Sequence, residues 1–267
     1  MIDPNMPQSN VMKEEFNWDI PIENVPLPSR GLLYSPDTQL FNAEILKIKS
    51  MTAREEDILS SPAYIKDGIA VQKVIESCLI DKSIDVGDMI MGDRNALMIS
   101  IRVTGYGSKY NVVHGCGNCS SRNDVSVNLN ELEINRMSIV PVSQGKNLFD
   151  FKLPVTGKTV QFKFLNGHDE REQNTKQKRM EILGITQHNA VTSFLENCIM
   201  SIDGITDKNK ITHFIKNMPA LDSRKLRLHI KSNEPGMDMS WKYSCPKCDH
   251  LNTFAIPITS EFFWPST

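Results

Sequence analysis

Cys116-Gly117-Asn118-Cys119 recurs in kind at Cys245-Pro246-Lys247-Cys248, with residues 120–244, 125 in all, between the two. A Cys-x-x-Cys turn lets both sulfurs face one point. Two such turns supply four thiolates, which at about 2.3 Å complete the tetrahedron of a structural Zn²⁺ and leave no position for a substrate or an activated water. The flanks repeat as well. Lys109-Tyr110-Asn111-Val112 leads into the first pair and Trp241-Lys242-Tyr243 into the second, and alternating stretches, Asp124–Leu129 and Thr253–Ile258, follow them. The pattern predicts two zinc knuckles, each the tip of a β-hairpin, with Cys116, Cys119, Cys245 and Cys248 sharing one Zn²⁺.

A zinc ribbon usually separates its pairs by about 15–20 residues, so the spacing implies a ribbon split by an inserted subdomain. The competing readings are two redox pairs or disulfides. A thioredoxin-like pair belongs to a strand-to-helix context, whereas Ser120-Ser121-Arg122-Asn123 and Asp249-His250-Leu251-Asn252 are turn residues. His114 and His250 flank the pairs and are candidate substitutes for a cysteine, but four thiolates already complete the set.

The fold class read from the chain is α+β. An extended N-terminal arm with short strands occupies 1–50, a helical segment 51–109, the split ribbon 110–134 with 237–267, and an inserted β-hairpin and helical subdomain 135–236. Residues 1–30 carry Pro4, Pro7, Pro21, Pro26 and Pro28, yet Phe16, Trp18, Ile20, Ile22, Val25 and Leu27 are too apolar for a disordered tail. The arm is expected to order against a partner. Pro28–Tyr34 reads as a turn into a short strand, and Ala43–Lys49 alternates as a half-buried strand does. Thr52-Ala53-Arg54-Glu55 is a capping box that starts a helix. Glu55, Glu56 and Asp57 are then first-turn acids favoured by the helix dipole rather than a catalytic cluster. Further helices are expected near 69–79, 93–103, 189–200, 207–217 and 222–232, the last capped by Asp222.

Within the insert, Phe149–Leu153 and Thr159–Leu165 alternate around Pro154-Val155-Thr156-Gly157-Lys158 and read as a hairpin. Gly157-Lys158-Thr159 mimics the end of a phosphate loop, but the glycine that motif needs five residues earlier is Lys152. His168-Asp169-Glu170 reads as the start of a polar helix rather than as a set of ligands.

With 267 residues and 40% hydrophobic content the chain can bury a sizeable core. No run approaches about 18 apolar residues, and Met1-Ile2-Asp3-Pro4 lacks the form of a signal peptide, so synthesis in the cytosol without a membrane span is expected. Cys78 and Cys198 sit in apolar helical stretches and read as small core residues. The net charge of −2 hides a gradient: residues 1–60 carry ten acidic against five basic side chains. Residues 206–232 carry seven basic side chains (Lys208, Lys210, Lys216, Arg224, Lys225, Arg227, Lys231) against Asp207 and Asp222. A solvated helical face accounts for this, and so does complementarity with a neighbouring subunit.

The succession Leu27-Pro28-Ser29-Arg30-Gly31-Leu32-Leu33-Tyr34, Met51–Leu59, Gly92-Asp93-Arg94, Ile101-Arg102, Tyr106-Gly107, Cys-x-x-Cys, Leu153–Lys158, Met218-Pro219 and the second Cys-x-x-Cys resembles the baseplate hub proteins of T-even-type contractile-tailed bacteriophages, over most of residues 27–258. The resemblance implies a structural component or assembly factor of the virion tail baseplate, made in the host cytoplasm, bound to other hub and tail proteins and lacking catalytic residues. The alternative is a zinc-ribbon nucleic-acid-binding protein. Near the knuckles only Lys109, Arg122, Lys242 and Lys247 suit that role, and a pI near 6.3 is low for it. An enzyme is least expected, because no nucleophile is paired with a base, and no phosphate loop or open metal site is present to bind a small-molecule substrate.

Overall fold

In the computed structural model, which describes residues 18–182, 189–258 and 260–263, strand β1 (Ile22–Pro26) pairs antiparallel with β2 (Ile45–Lys49). Alternation brings Val25, Leu46 and Ile48 to one face, where all three are buried, and Leu27 follows them inward. Val25, Leu27, Pro28 and Ser29 therefore pack into the chain's own core, so this part of the arm is ordered without a partner, contrary to the expectation for residues 1–30 as a whole. Phe16 lies outside the described residues.

No strand follows Gly31. Its φ is +69°, and a Cβ there would sit 2.3 Å from the Ala43 nitrogen and 2.4 Å from the Leu40 oxygen, so the chain turns tightly where only glycine fits. The turn delivers Ser29 and Tyr34 inward instead of along a sheet.

Three short helices follow, α1 (Ala53–Ser60), α2 (Pro62–Asp67) and α3 (Ala70–Cys78), and then the long α4 (Met91–Tyr106). Glu55 completes the capping box by accepting the Thr52 N–H at 2.9 Å, and its other oxygen takes the Ser77 hydroxyl at 2.5 Å and pairs with Lys49 at 3.0 Å. Helix α4 is apolar on nearly every side, with Ala96, Leu97, Met98, Ile99 and Ile101 buried, as a central helix must be. Asp93, Arg94 and Arg102 are the charged side chains buried in it, and the first and last of them fix neighbouring segments. Asp93 accepts the Ser29 N–H at 2.9 Å, the Ser29 hydroxyl at 2.5 Å and the Tyr34 hydroxyl at 2.6 Å. Arg102 donates to the carbonyls of Phe262, Gly107 and Lys109 at 2.5, 2.6 and 3.1 Å. The first bolts the N-terminal turn to α4, and the last fixes the root of the next hairpin.

That hairpin is β3 (Lys109–Gly115) and β4 (Arg122–Asn128), paired over their full length. A short ladder of β5 (Ile134–Asn135) with β9 (Gly236–Met237) then closes the neck of the insert. Gly92 of α4 touches this neck: a Cβ would fall 1.8 Å from the Pro235 oxygen. Inside the insert, β6 (Phe149–Lys152), β7 (Thr159–Phe162) and β8 (Ile199–Ile202) form one antiparallel sheet in that order. The expected hairpin thus gains a third strand. The helix expected to reach Met200 stops at Cys198 because Ile199–Ile202 pairs with β7, burying Ile199, Ser201 and Ile202.

Helices α5 (Gly167–Ile182), α6 (Ala190–Cys198), α7 (Lys208–Asn217) and α8 (Ala220–Asn233) complete the insert. Asp222 is not the cap of α8, which begins at Ala220 after Pro219. Its buried carboxylate instead accepts the N–H groups of Val155 and Thr156 at 2.7 and 3.0 Å and the Thr156 hydroxyl at 2.9 Å, holding the β6–β7 turn. The last described elements are a second hairpin, β10 (Ser240–Ser244) with β11 (Leu251–Ala255), and a short helix α9 (Ser260–Phe263). Buried side chains from Val25 to Phe263, Cys78 and Cys198 among them, form one apolar cluster. Among the described residues no helix is long and apolar enough to cross a membrane.

Candidate metal centre

Each Cys-x-x-Cys pair sits at the tip of its hairpin in the same backbone shape. The N–H of Cys116 donates to the Ser121 carbonyl at 2.9 Å and the N–H of Ser120 to the Cys116 carbonyl at 3.0 Å. The second tip repeats both bonds, Cys245 to His250 and Asp249 to Cys245, each at 2.9 Å. Ser120 and Asp249 occupy matching left-handed positions, φ +57° and +55°. Such a loop aims successive amides at the first sulfur: Asn118 and Cys119 at Cys116, Lys247 and Cys248 at Cys245.

The two tips face each other, and all four sulfurs lie within 4.8 Å of one another. Cys116 and Cys248 approach to 3.7 Å, as do Cys119 and Cys245. These contacts cross between the pairs and far exceed the roughly 2.05 Å of a disulfide, so the cysteines are free. A tetrahedron of sulfurs at about 2.3 Å from a central Zn²⁺ has edges of about 3.8 Å. The donor set therefore fits such an ion in type, number and spacing.

Two asparagines that the sequence reading passed over tie the halves together. Asn252 accepts the Gly117 N–H at 2.9 Å through Oδ1, while its Nδ2 lies 3.6 Å from the Cys116 sulfur and 2.9 Å from the His250 oxygen. Asn123 mirrors it: its Nδ2 lies 3.8 Å from the Cys245 sulfur and 3.1 Å from the Ser121 oxygen. Each carboxamide thus steadies its own turn and donates to the first cysteine of the other. Both are buried. The signal in the sequence was a common Cys-x-x-Cys-x-x-x-Asn, Cys116 to Asn123 and Cys245 to Asn252.

The electrostatics favour a cation. The Ser121 hydroxyl, then the amides of Lys247 and Cys248, hold the Cys245 thiol down at about 6. Cys116 is lowered chiefly by the Cys119 amide. Cys248 accepts from His250 and Asn118, which lower it, yet desolvation and then the crowding sulfurs of Cys119 and Cys116 leave it pushed up to about 11. Thiolates this close repel one another, and a divalent ion among them would let all four ionise. His114 is not part of the cluster. It stacks on Phe254 with ring centroids 4.6 Å apart and its Nδ1 meets the Tyr243 hydroxyl at 3.1 Å. His250 contributes its backbone to the turn.

His168, Asp169 and Glu170, a candidate cluster in the sequence, are split among different partners. Asp169 binds Lys163 and Glu170 binds Arg94, both at 2.7 Å, while His168 lies 3.3 Å from Asp85 and 3.4 Å from Asp88 on the surface.

A protein-family model described as T4 bacteriophage base plate protein matches residues 34–264. The chain belongs to this family. No curated protein and no solved structure matches it. Membership makes it a component of the phage tail, where baseplate proteins contact other tail proteins. In this baseplate protein the residues of the family-like motifs serve architecture: Asp93 receives Tyr34, Arg102 anchors β3 at Lys109, and the Val155-Thr156 turn is pinned by Asp222.

Proposed function

We propose that this baseplate protein is a non-enzymatic component of the hub, made in the host cytoplasm and acting through protein contacts, with Cys116, Cys119, Cys245 and Cys248 holding a structural Zn²⁺. The observation that carries the reading is the closed cluster of four sulfurs between two like hairpin tips. A saturated site of this kind has no vacancy for a substrate, so its contribution is to tie residues 110–134 to 237–258. Family membership supports the baseplate setting, and the hub position is the finer step.

Metal content measured by native mass spectrometry is expected to show one zinc per wild-type chain and none in Cys245→Ser, with the variant losing most of its thermal stability. A Cys245→Ser protein with unchanged melting and unchanged zinc overturns the shared site. For the hub, purified tails should contain the protein and a deletion phage should fail to assemble infectious tails. Tight, salt-dependent retention on DNA would favour the nucleic-acid alternative.

A further inference from the structure

We propose that the outer stripe of α8 is a docking surface for the N-terminal segment of a second copy of this chain. Leu221, the adjacent Arg224 and Lys225, Leu228 and Lys231 are linked by steps of three and four residues, so they share one side of the helix. All are exposed, Leu221 to 50% and Leu228 to 52%, while Leu226 and Ile230 on the opposite side are buried in the core. Among the described residues none of the three cations on the stripe forms an ion pair. The one acid in the helix, Asp222, is buried and committed to the β6–β7 turn. The stripe therefore presents apolar surface and uncompensated positive charge together.

Its complement lies at the other end of the chain. In Glu14-Glu15-Phe16-Asn17-Trp18-Asp19-Ile20-Pro21-Ile22-Glu23, apolar side chains alternate at positions 16, 18, 20 and 22 with carboxylates around them. Where this segment enters the described structure, Trp18 is 53% and Ile22 58% exposed, so its own chain does not cover them. The eight residues 14–21 that precede β1 would reach about 26 Å if extended, enough to run the roughly 21 Å of a 14-residue helix. A polyanion without apolar groups would neutralise the stripe and leave both leucines wet. A segment with both features satisfies both. Because the contact joins two different surfaces, it is head-to-tail, and copies would add into a ring or an open chain. Charge steering makes it sensitive to salt. The inference depends on neither the zinc site nor the hub position.

Sedimentation velocity of the full chain over a concentration series tests it. Association is expected at about 50 mM salt and a shift of at least tenfold toward monomer at about 500 mM, as a Debye length falling severalfold implies. Arg224→Glu with Lys225→Glu should abolish association without changing the melting temperature, deletion of residues 1–17 should do the same, and mixing that charge-reversed protein with Glu14→Lys/Glu15→Lys protein should restore it. A wild type that stays monomeric at every concentration, or association that survives either change, overturns the proposal. So does a monomer whose Trp18 fluorescence responds to the α8 reversal, since that places the segment on its own helix.

Discussion

Replacing Asp93 by alanine removes the acceptor for three inward donors, the Ser29 N–H, the Ser29 hydroxyl and the Tyr34 hydroxyl. All three groups belong to buried residues, and a buried donor left without a partner costs about 1–3 kcal/mol. The hydroxyls can rotate toward other acceptors, but the Ser29 amide cannot. Tyr34 must also stay in place to accept the Ile90 N–H at 3.1 Å. A loss of about 3–5 kcal/mol follows, a large share of the roughly 5–15 kcal/mol that holds a domain. Burial raises the Asp93 carboxyl above its usual range despite the bonds it accepts from Ser29 and Tyr34. A raised carboxyl gives stability that is lost as pH rises through the folded pKa, so the penalty of the alanine should be at least as large at pH 5 as at pH 8. Urea titration followed by tryptophan fluorescence measures it, with exposed Asp57→Ala as the control expected to stay within about 0.5 kcal/mol of wild type. If Asp93→Ala unfolds at the same midpoint as that control, the node does not hold the N-terminal turn as argued.

Glu55 has the opposite sign. Burial would raise it, but the hydrogen bonds from Ser77, Thr52 and Lys49 prevail and hold it at about 2, against 4.5 ordinarily. Its contribution is present above about 4.5 and lost as pH falls toward 2, about 3 kcal/mol in all, and Glu55→Gln should flatten that part of a stability-against-pH curve. Gly92→Ala forces the neck of the insert away from α4, because its Cβ would meet the Pro235 oxygen at 1.8 Å; a loss of about 1–3 kcal/mol in thermal or urea unfolding is expected. Asn123→Ala and Asn252→Ala should each weaken zinc affinity about 10–100-fold in a chelator competition while leaving four sulfur ligands in the absorption spectrum of the Co²⁺-substituted protein. The larger effect is expected for Asn252→Ala, since Asn252 also accepts the Gly117 N–H while Pro246, at the matching position, offers Asn123 no such donor.

The two cysteine-tipped hairpins were legible because their determinants are local: two cysteines, a turn, and alternating strands on either side. The asparagines were legible in principle, being part of the same repeat, but an amide four residues past a cysteine carries no meaning until the other hairpin is there to receive it. Strand β8 was hidden for a different reason. Ile199-Met200-Ser201-Ile202 continues the apolar spacing of Leu195 and Cys198, and only β7, some forty residues away, makes it a strand. Asp222 looked like a cap because local chemistry is all that a reading of the helix start can weigh, whereas the atoms it binds belong to Val155 and Thr156. The proline-marked arm failed similarly: Val25 and Leu27 are core residues by virtue of β2, twenty residues downstream.

The distance along the chain between the two hairpin tips has a consequence for the nascent protein on the ribosome. Cys119 emerges 126 residues before Cys245, and at about 5–20 residues per second that is roughly 6–25 s of elongation. Throughout this interval the first tip carries only two of the four cysteines, while the residues of β6, β7 and β8 are being translated behind it. On the proposed four-sulfur site, metal capture would be a closing event in biogenesis, because the last hairpin to be translated carries Cys245 and Cys248.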